Sequence, residues 1–128
     1  MAISAKDLIQ KKKLIEDKRD KQIEIEVPDT GTFLFRIPNF IDYEDSEAYG
    51  KNRKQKGYES NKYLIHACCL EPNLKDTELL EAYEVKNPID IVDKLFMVGE
   101  IQSIANTLVD KAGFDRDAYR VIEKTKNS

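Results

Sequence analysis

The sequence predicts an α+β fold, a mainly α-helical single domain with one β-hairpin near its N-terminus. Three observations carry that reading. Apolar residues alternate with polar ones in QIEIEVP and again, after a turn sequence, in TFLFRIP. Helical spacing of apolar residues fills most of the remainder, most regularly from Ile101 to Ala112. The chain has 128 residues, and one domain of that size buries roughly two thirds of its unfolded surface without staples.

Residues 1–21 read as a charged arm. Ser4 and Asp7 have the Ser-x-x-Asp spacing of a helix cap. Leu8, Ile9 and Ile15 follow among Lys11, Lys12, Lys13, Lys18 and Arg19, which describes a solvated helix. Residues 22–37 form the hairpin. Ile23, Ile25 and Val27 lie on one face and Glu24 and Glu26 on the other, with Asp29, Thr30 and Gly31 as the turn. On the return, Phe33, Phe35 and Ile37 oppose Thr32, Leu34 and Arg36. Two strands alone are marginal in water, so the apolar face must lie on helices or on a partner's strands.

Residues 39–114 form the helical body. Asp42 to Gly57 is acidic first and basic second, which suits one exposed helix that loosens near Gly50. A second helix starts after Ser60 or Asn61 and runs through Tyr63, Leu64, Ile65, Ala67, Cys68, Cys69 and Leu70. It is apolar on nearly every side, hence central and buried, and Pro72 stops it. Asp76 caps a short helix that turns Leu79, Leu80 and Tyr83 inward. Asn87 and Pro88 start the next, with Ile89, Ile91, Val92, Leu95 and Phe96, and Gly99 marks the break after it. Ile101, Ile104, Ala105, Leu108, Val109 and Ala112 share one face of the last helix. Gly113 closes it in a left-handed turn with Phe114 packing back. Residues 115–128 read as a short helical extension fraying into a tail.

Charge and composition narrow the function classes. The net charge of -3 argues against a dedicated nucleic-acid binder. The basic run KNRKQKG, bordered by Tyr49 and Tyr58, is the best candidate for such contact, though an exposed helix end explains it equally well. No segment has the length of a signal peptide core or of a bilayer span. Adjacent Cys68 and Cys69 cannot build a spaced disulfide framework, which points to a reducing cytoplasm.

The residues of chemical interest cluster in LIHACCLEPNL. His66 and Cys69 stand three apart, a spacing that on a helix suits a zinc ligand pair or a Cys-His nucleophile. The ligand supply decides against both, because a structural zinc site needs four ligands and the one further cysteine points about 100° away on a helix. Asp42, Glu44, Asp45 and Glu47 lack the spacing of a calcium loop. No glycine pattern cradles a phosphate, and one histidine leaves no triad. Catalytic, cofactor-binding and metal-binding residues are therefore all expected to be absent.

From Leu64 to Phe114 the sequence resembles the XkdN-like phage tail assembly chaperones of phages and prophages of Gram-positive bacteria. The matching residues are Glu71, Pro72, Asn73 and Leu74 after an apolar helix, then Tyr83 and Val85, Pro88 to Leu95, Gly99 with Glu100, and Gly113 with Phe114. These are packing and turn residues. The lysine-rich start and strand pair are similar as well. The resemblance implies a non-enzymatic chaperone that binds the tape-measure protein and helps recruit tail tube protein in the host cytoplasm. It implies too that the chaperone is absent from the finished virion, and it leaves oligomerisation open. Two candidate contact surfaces for the client are a groove between the 62–70 and 100–112 helices, which reads more simply as the hydrophobic core, and the exposed helix near Tyr43 and Tyr49, with Tyr58 nearby. The alternative is a small helical regulatory or adaptor protein touching nucleic acid through Lys51 to Lys56.

Overall fold

A computed structural model describes residues 1–125. The arm is two short helices, α1 (Ala5–Gln10) and α2 (Lys12–Arg19). Ser4 Oγ accepts from the Asp7 amide at 3.1 Å and Asp7 accepts from the Ser4 amide, so the expected cap forms. No residue of either helix is buried.

The hairpin is β1 (Gln22–Val27) and β2 (Gly31–Arg36), paired from Gln22 opposite Arg36 to Val27 opposite Gly31. The turn uses left-handed backbone at Asp29 (φ 62°) and Gly31 (φ 140°), conformations that short polar residues and glycine adopt at least expense. Val27, Phe33 and Phe35 are buried as the alternation predicts. The hairpin does not stand alone. A third strand, β3 (Cys69–Glu71), pairs with β2, Leu34 opposite Glu71 and Phe35 opposite Cys69. Cys69 and Leu70 therefore belong to a strand and not to the buried helix, which ends at Cys68, before Pro72 is reached. The free edge of β2 satisfies backbone groups that a helix end would leave open, and a residue before proline favours extended geometry.

The two helices expected over residues 42–70 form with shifted bounds, the first ending at Lys51 and not at Gly57. α3 (Phe40–Lys51) starts on an Asn39 cap, with Asn39 Oδ1 accepting from the Asp42 amide at 3.0 Å and Asp42 accepting from the Asn39 amide at 2.8 Å. α4 (Lys56–Cys68) begins at Lys56, ahead of the expected start at Ser60 or Asn61. The two pack side by side, and the buried stripe of α3 is Asp42, Ser46 and Gly50. Those residues are small or polar, which is why apolar periodicity missed the contact. The helix α3 ends one residue after Gly50, which is also a close-approach point. A β-carbon there would overlap Ser60 Oγ and stand 2.6 Å from the Lys56 carbonyl oxygen. Ser60 Oγ in turn donates to the Ser46 carbonyl at 2.9 Å, which ties the helices at the same level.

The rest of the chain wraps α4. Leu74 is buried just past β3; α5 (Thr77–Ala82) follows on its Asp76 cap, and Tyr83 beyond it is exposed where an inward position was expected. Asn87 caps a 3-10 turn, Pro88–Asp90, that runs into α6 (Ile91–Leu95). The break falls at extended Phe96, not at Gly99, which lies within the first turn of α7 (Val98–Val109). Ile101, Ile104, Ala105 and Leu108 of α7 face Leu64, Ile65 and Cys68 of α4 in the core. Phe96 meets Phe33 at 5.0 Å between ring centres, which seats the sheet on the helices. Gly113 (φ 106°) closes α7 through a wider π turn, Asp110–Phe114. Phe114 is exposed on one side and packs on Tyr43, at 5.4 Å between ring centres. Beyond it only a 3-10 turn at Arg116–Ala118 forms where a helical extension was expected. Residues 126–128 of the expected tail lie outside the described residues.

Gly50→Ala is expected to destabilise the fold by about 1–3 kcal/mol through overpacking against Lys56 and Ser60. Gly57→Ala, with open space around its position, should be neutral or stabilise by up to about 1 kcal/mol. Urea unfolding of the two variants against the parent chain checks both.

Candidate functional site

Two charged clusters tie the fold together. The first is built around Lys62 of α4, whose side chain is 2% exposed. Its Nζ donates to Asp93 at 2.5 Å, to Asp90 at 2.7 Å and to Glu59 at 3.4 Å. Tyr58, one helical turn earlier, donates its hydroxyl to Asp93 at 2.5 Å. Burial by itself pulls a lysine's pKa down. Here the hydrogen bonds from Asp90 and Asp93, with the Asp93 charge and Glu59, outweigh it and raise the pKa above its usual 10.5. A permanently charged ammonium that fills the centre of three carboxylates neither shuttles a proton nor leaves those acids free for a cation.

The second cluster spans sheet and helices. Arg36 of β2 grips Asp42 of α3 with two nitrogens, at 2.6 and 2.9 Å, and donates to the Ala67 carbonyl of α4 at 3.1 Å. The guanidinium holds the Asp42 carboxyl below its usual range. Sequence reasoning placed both residues on solvated faces and missed the pair. The available signal was Asn39-x-x-Asp42, a capping spacing that puts Asp42 at the helix start beside the end of β2.

LIHACCLEPNL is split by the fold. Cys68 is fully buried and Cys69 half-buried, and burial pushes the thiols up to about 12 and about 11. Both stay protonated at neutral pH, and a thiol in that state is a poor nucleophile and a poor ligand. His66 is 9% exposed and its Nε2 has no partner. Burial, with a smaller contribution from Lys75, moves its pKa below 6.5, so the ring is neutral. It lines a cleft of about 450 Å³ with Tyr63, Lys75, Leu80, Asn87 and Ile89. Among the described residues no group of three or more His, Cys, Asp or Glu is arranged to hold a metal.

The other residues singled out in the sequence are placed as follows. Glu71 pairs in the sheet opposite Leu34, Cys69 Sγ meets the Pro72 carbonyl at 3.4 Å, Asn73 Oδ1 accepts from the Lys75 amide, and Leu74 plugs the core. The four residues thus leave a strand and not a helix. Glu100 accepts from the Met97 amide at 2.8 Å and so caps α7. Tyr49 is half-buried, leans on Tyr63 at 5.3 Å and accepts from Asn87 Nδ2 at 2.8 Å. Arg53 lies over the Tyr49 ring at 3.6 Å and donates to its carbonyl, so one cation of the basic run is engaged internally. Tyr43 is half-buried with its hydroxyl unpartnered. The facing sides of α4 and α7 pack against each other as the hydrophobic core, the simpler of the two readings of that helix pair.

The Lys62 cluster predicts an asymmetry. Lys62→Met leaves Asp90 and Asp93, with side chains 45% and 35% exposed, able to take up water, and should cost about 1–3 kcal/mol. Asp90→Asn with Asp93→Asn leaves a buried ammonium with Glu59 alone and should cost about 3–5 kcal/mol. Guanidinium unfolding orders the two. His66 predicts a pH dependence. Its folded pKa lies below the unfolded 6.5, so its contribution is whole above 6.5 and declines as the unfolded chain takes up the proton on acidification. Stability measured from about pH 7 to about pH 5 should fall by a one-proton slope that His66→Gln removes.

No curated protein and no solved structure matches the chain. Among the described residues no helix is long and apolar enough to cross a membrane. The profile of the phage XkdN-like tail assembly chaperone proteins matches residues 42–126, from the first turn of α3 through the Lys62 cluster and the whole α4–α7 core; of the Arg36 cluster it includes Asp42 and Ala67 but not Arg36 itself. On that match the chain belongs to the phage XkdN-like tail assembly chaperone family, and its role lies in phage tail assembly.

Proposed function

We propose that the chain is a non-enzymatic chaperone that binds the phage tape-measure protein in the host cytoplasm, assists assembly of the tail tube around it, and does not remain in the virion. The observation that carries this reading is the family match over residues 42–126. The chemistry of the chain supports it: the thiols are protonated, the single histidine is covered, and the buried charges neutralise one another.

The client surface we infer is the outer side of α3. Phe40 and Ile41 are 74% and 63% exposed at its start. Glu44, Glu47 and Ala48 continue the same side, all exposed, and half-buried Tyr43 and Tyr49 border it. A long helical client exposes apolar stripes before assembly, and an amphipathic helix recognises such a stripe through side chains at i, i+4 and i+7. Each apolar side chain contributes at most about 1.5–3 kcal/mol when covered. A few of them hold a client and still release it.

Co-expression with the tape-measure protein tests the reading. The tape measure should become more soluble and co-purify with the chain, and Phe40→Ser with Ile41→Ser should reduce both while circular dichroism stays unchanged. A tape measure no more soluble with the chain than without it overturns the assignment.

A further inference from the structure

The N-terminal arm carries apolar residues among its charges, and none of its residues is buried against the rest of the described chain. Leu8, Ile9 and Leu14 are 48%, 74% and 64% exposed, and only Ile15 is half covered. Around them residues 1–21 carry seven Lys and Arg against four Asp and Glu, a net +3 on a chain whose total is -3. The rest of the molecule is correspondingly acidic. Elsewhere on the surface, a groove of about 440 Å³ runs between the end of β1 and the start of α7. Its floor is Ile25, Val27, Met97 and Ile104, and Glu26 and Glu100 stand at its rim. Met97 is 73% exposed there.

We propose that the arm of one copy occupies the β1–α7 groove of a second copy, so that the protein self-associates through its first 19 residues. The apolar side chains of α1 and α2 supply what the floor lacks, and Lys11, Lys12 and Lys13 face the carboxylates of the rim. Charge selects this mode over strand pairing. β1 is an open edge of the sheet, and the β1-to-β1 antiparallel registers that overlap most of the strand and keep its apolar residues on one face set Glu24 opposite Glu24 or Glu26 of the other copy, which disfavours them. The arm brings the opposite sign.

Sedimentation velocity on the purified full chain over a range of concentrations tests the proposal without any client present. The parent chain should associate as its concentration rises. Leu8→Gln with Leu14→Gln, both at exposed positions, should weaken association about a hundredfold. Glu26→Lys with Ser103→Lys, two exposed positions lining the groove, should weaken it too. Mixing that variant with a Lys12→Glu, Lys13→Glu variant should restore association between the unlike copies. A parent chain that is monomeric at every concentration overturns the proposal, and so does association that all three variants leave unchanged.

Discussion

An ammonium ion taken almost wholly out of water needs counter-charges at contact distance, and Lys62 sets that requirement at the middle of the central helix. Solvation lost by the lysine is returned by Asp90 and Asp93, which lie about thirty residues further along the chain. Their positions fix which turn of α4 receives the Pro88–Leu95 segment. Apolar packing is non-directional, whereas the ion pairs require particular atoms at contact distance. A buried ion pair is a poor source of net stability but a strong source of registry. Once that segment is placed, Phe96 meets Phe33, and α7 is directed back along α4.

The Arg36 cluster plays the complementary part at the other end of the core. One guanidinium reaches the capping carboxylate of α3 and a main-chain carbonyl near the end of α4, so the sheet, α3 and α4 meet at a single planar group. The carbonyl of Ala67 is one of the acceptors that a helix leaves open in its last turn. With Arg36 donating there, α4 can end at Cys68 and continue directly into β3. The sheet edge and the helix end thereby resolve each other's unpaired backbone groups.

Local signals were the legible ones. The hairpin register, the Ser4, Asp76 and Asn87 caps, the face of α7 and the left-handed Gly113 all follow from patterns within a few residues, and all are present. What escaped the reading depends on distant partners. β3 exists because β2 offers an edge. The packing of α3 on α4 rests on a buried stripe with no large apolar residue in it, so hydropathy had nothing to register. Phe114 meets Tyr43, some seventy positions away. The Lys62 site had a trace in sequence, a lysine inside the apolar run of a central helix with two acids spaced by three downstream, and the reading passed over it because charge was treated as surface. Of the two readings of the α4–α7 pair, a client groove or the hydrophobic core, the structure shows the core.

The glycines illustrate how unequally positions of one residue type are free to drift. Gly57 and Gly99 have open space where a side chain would grow, and nothing in the packing holds them to glycine. Gly50 is pressed against the backbone of the next helix. Among divergent relatives sharing this helical hairpin, substitution at the first two positions carries little information, whereas a side chain at position 50 would mark a branch in which α3 and α4 have moved apart and the chain between them has been rebuilt.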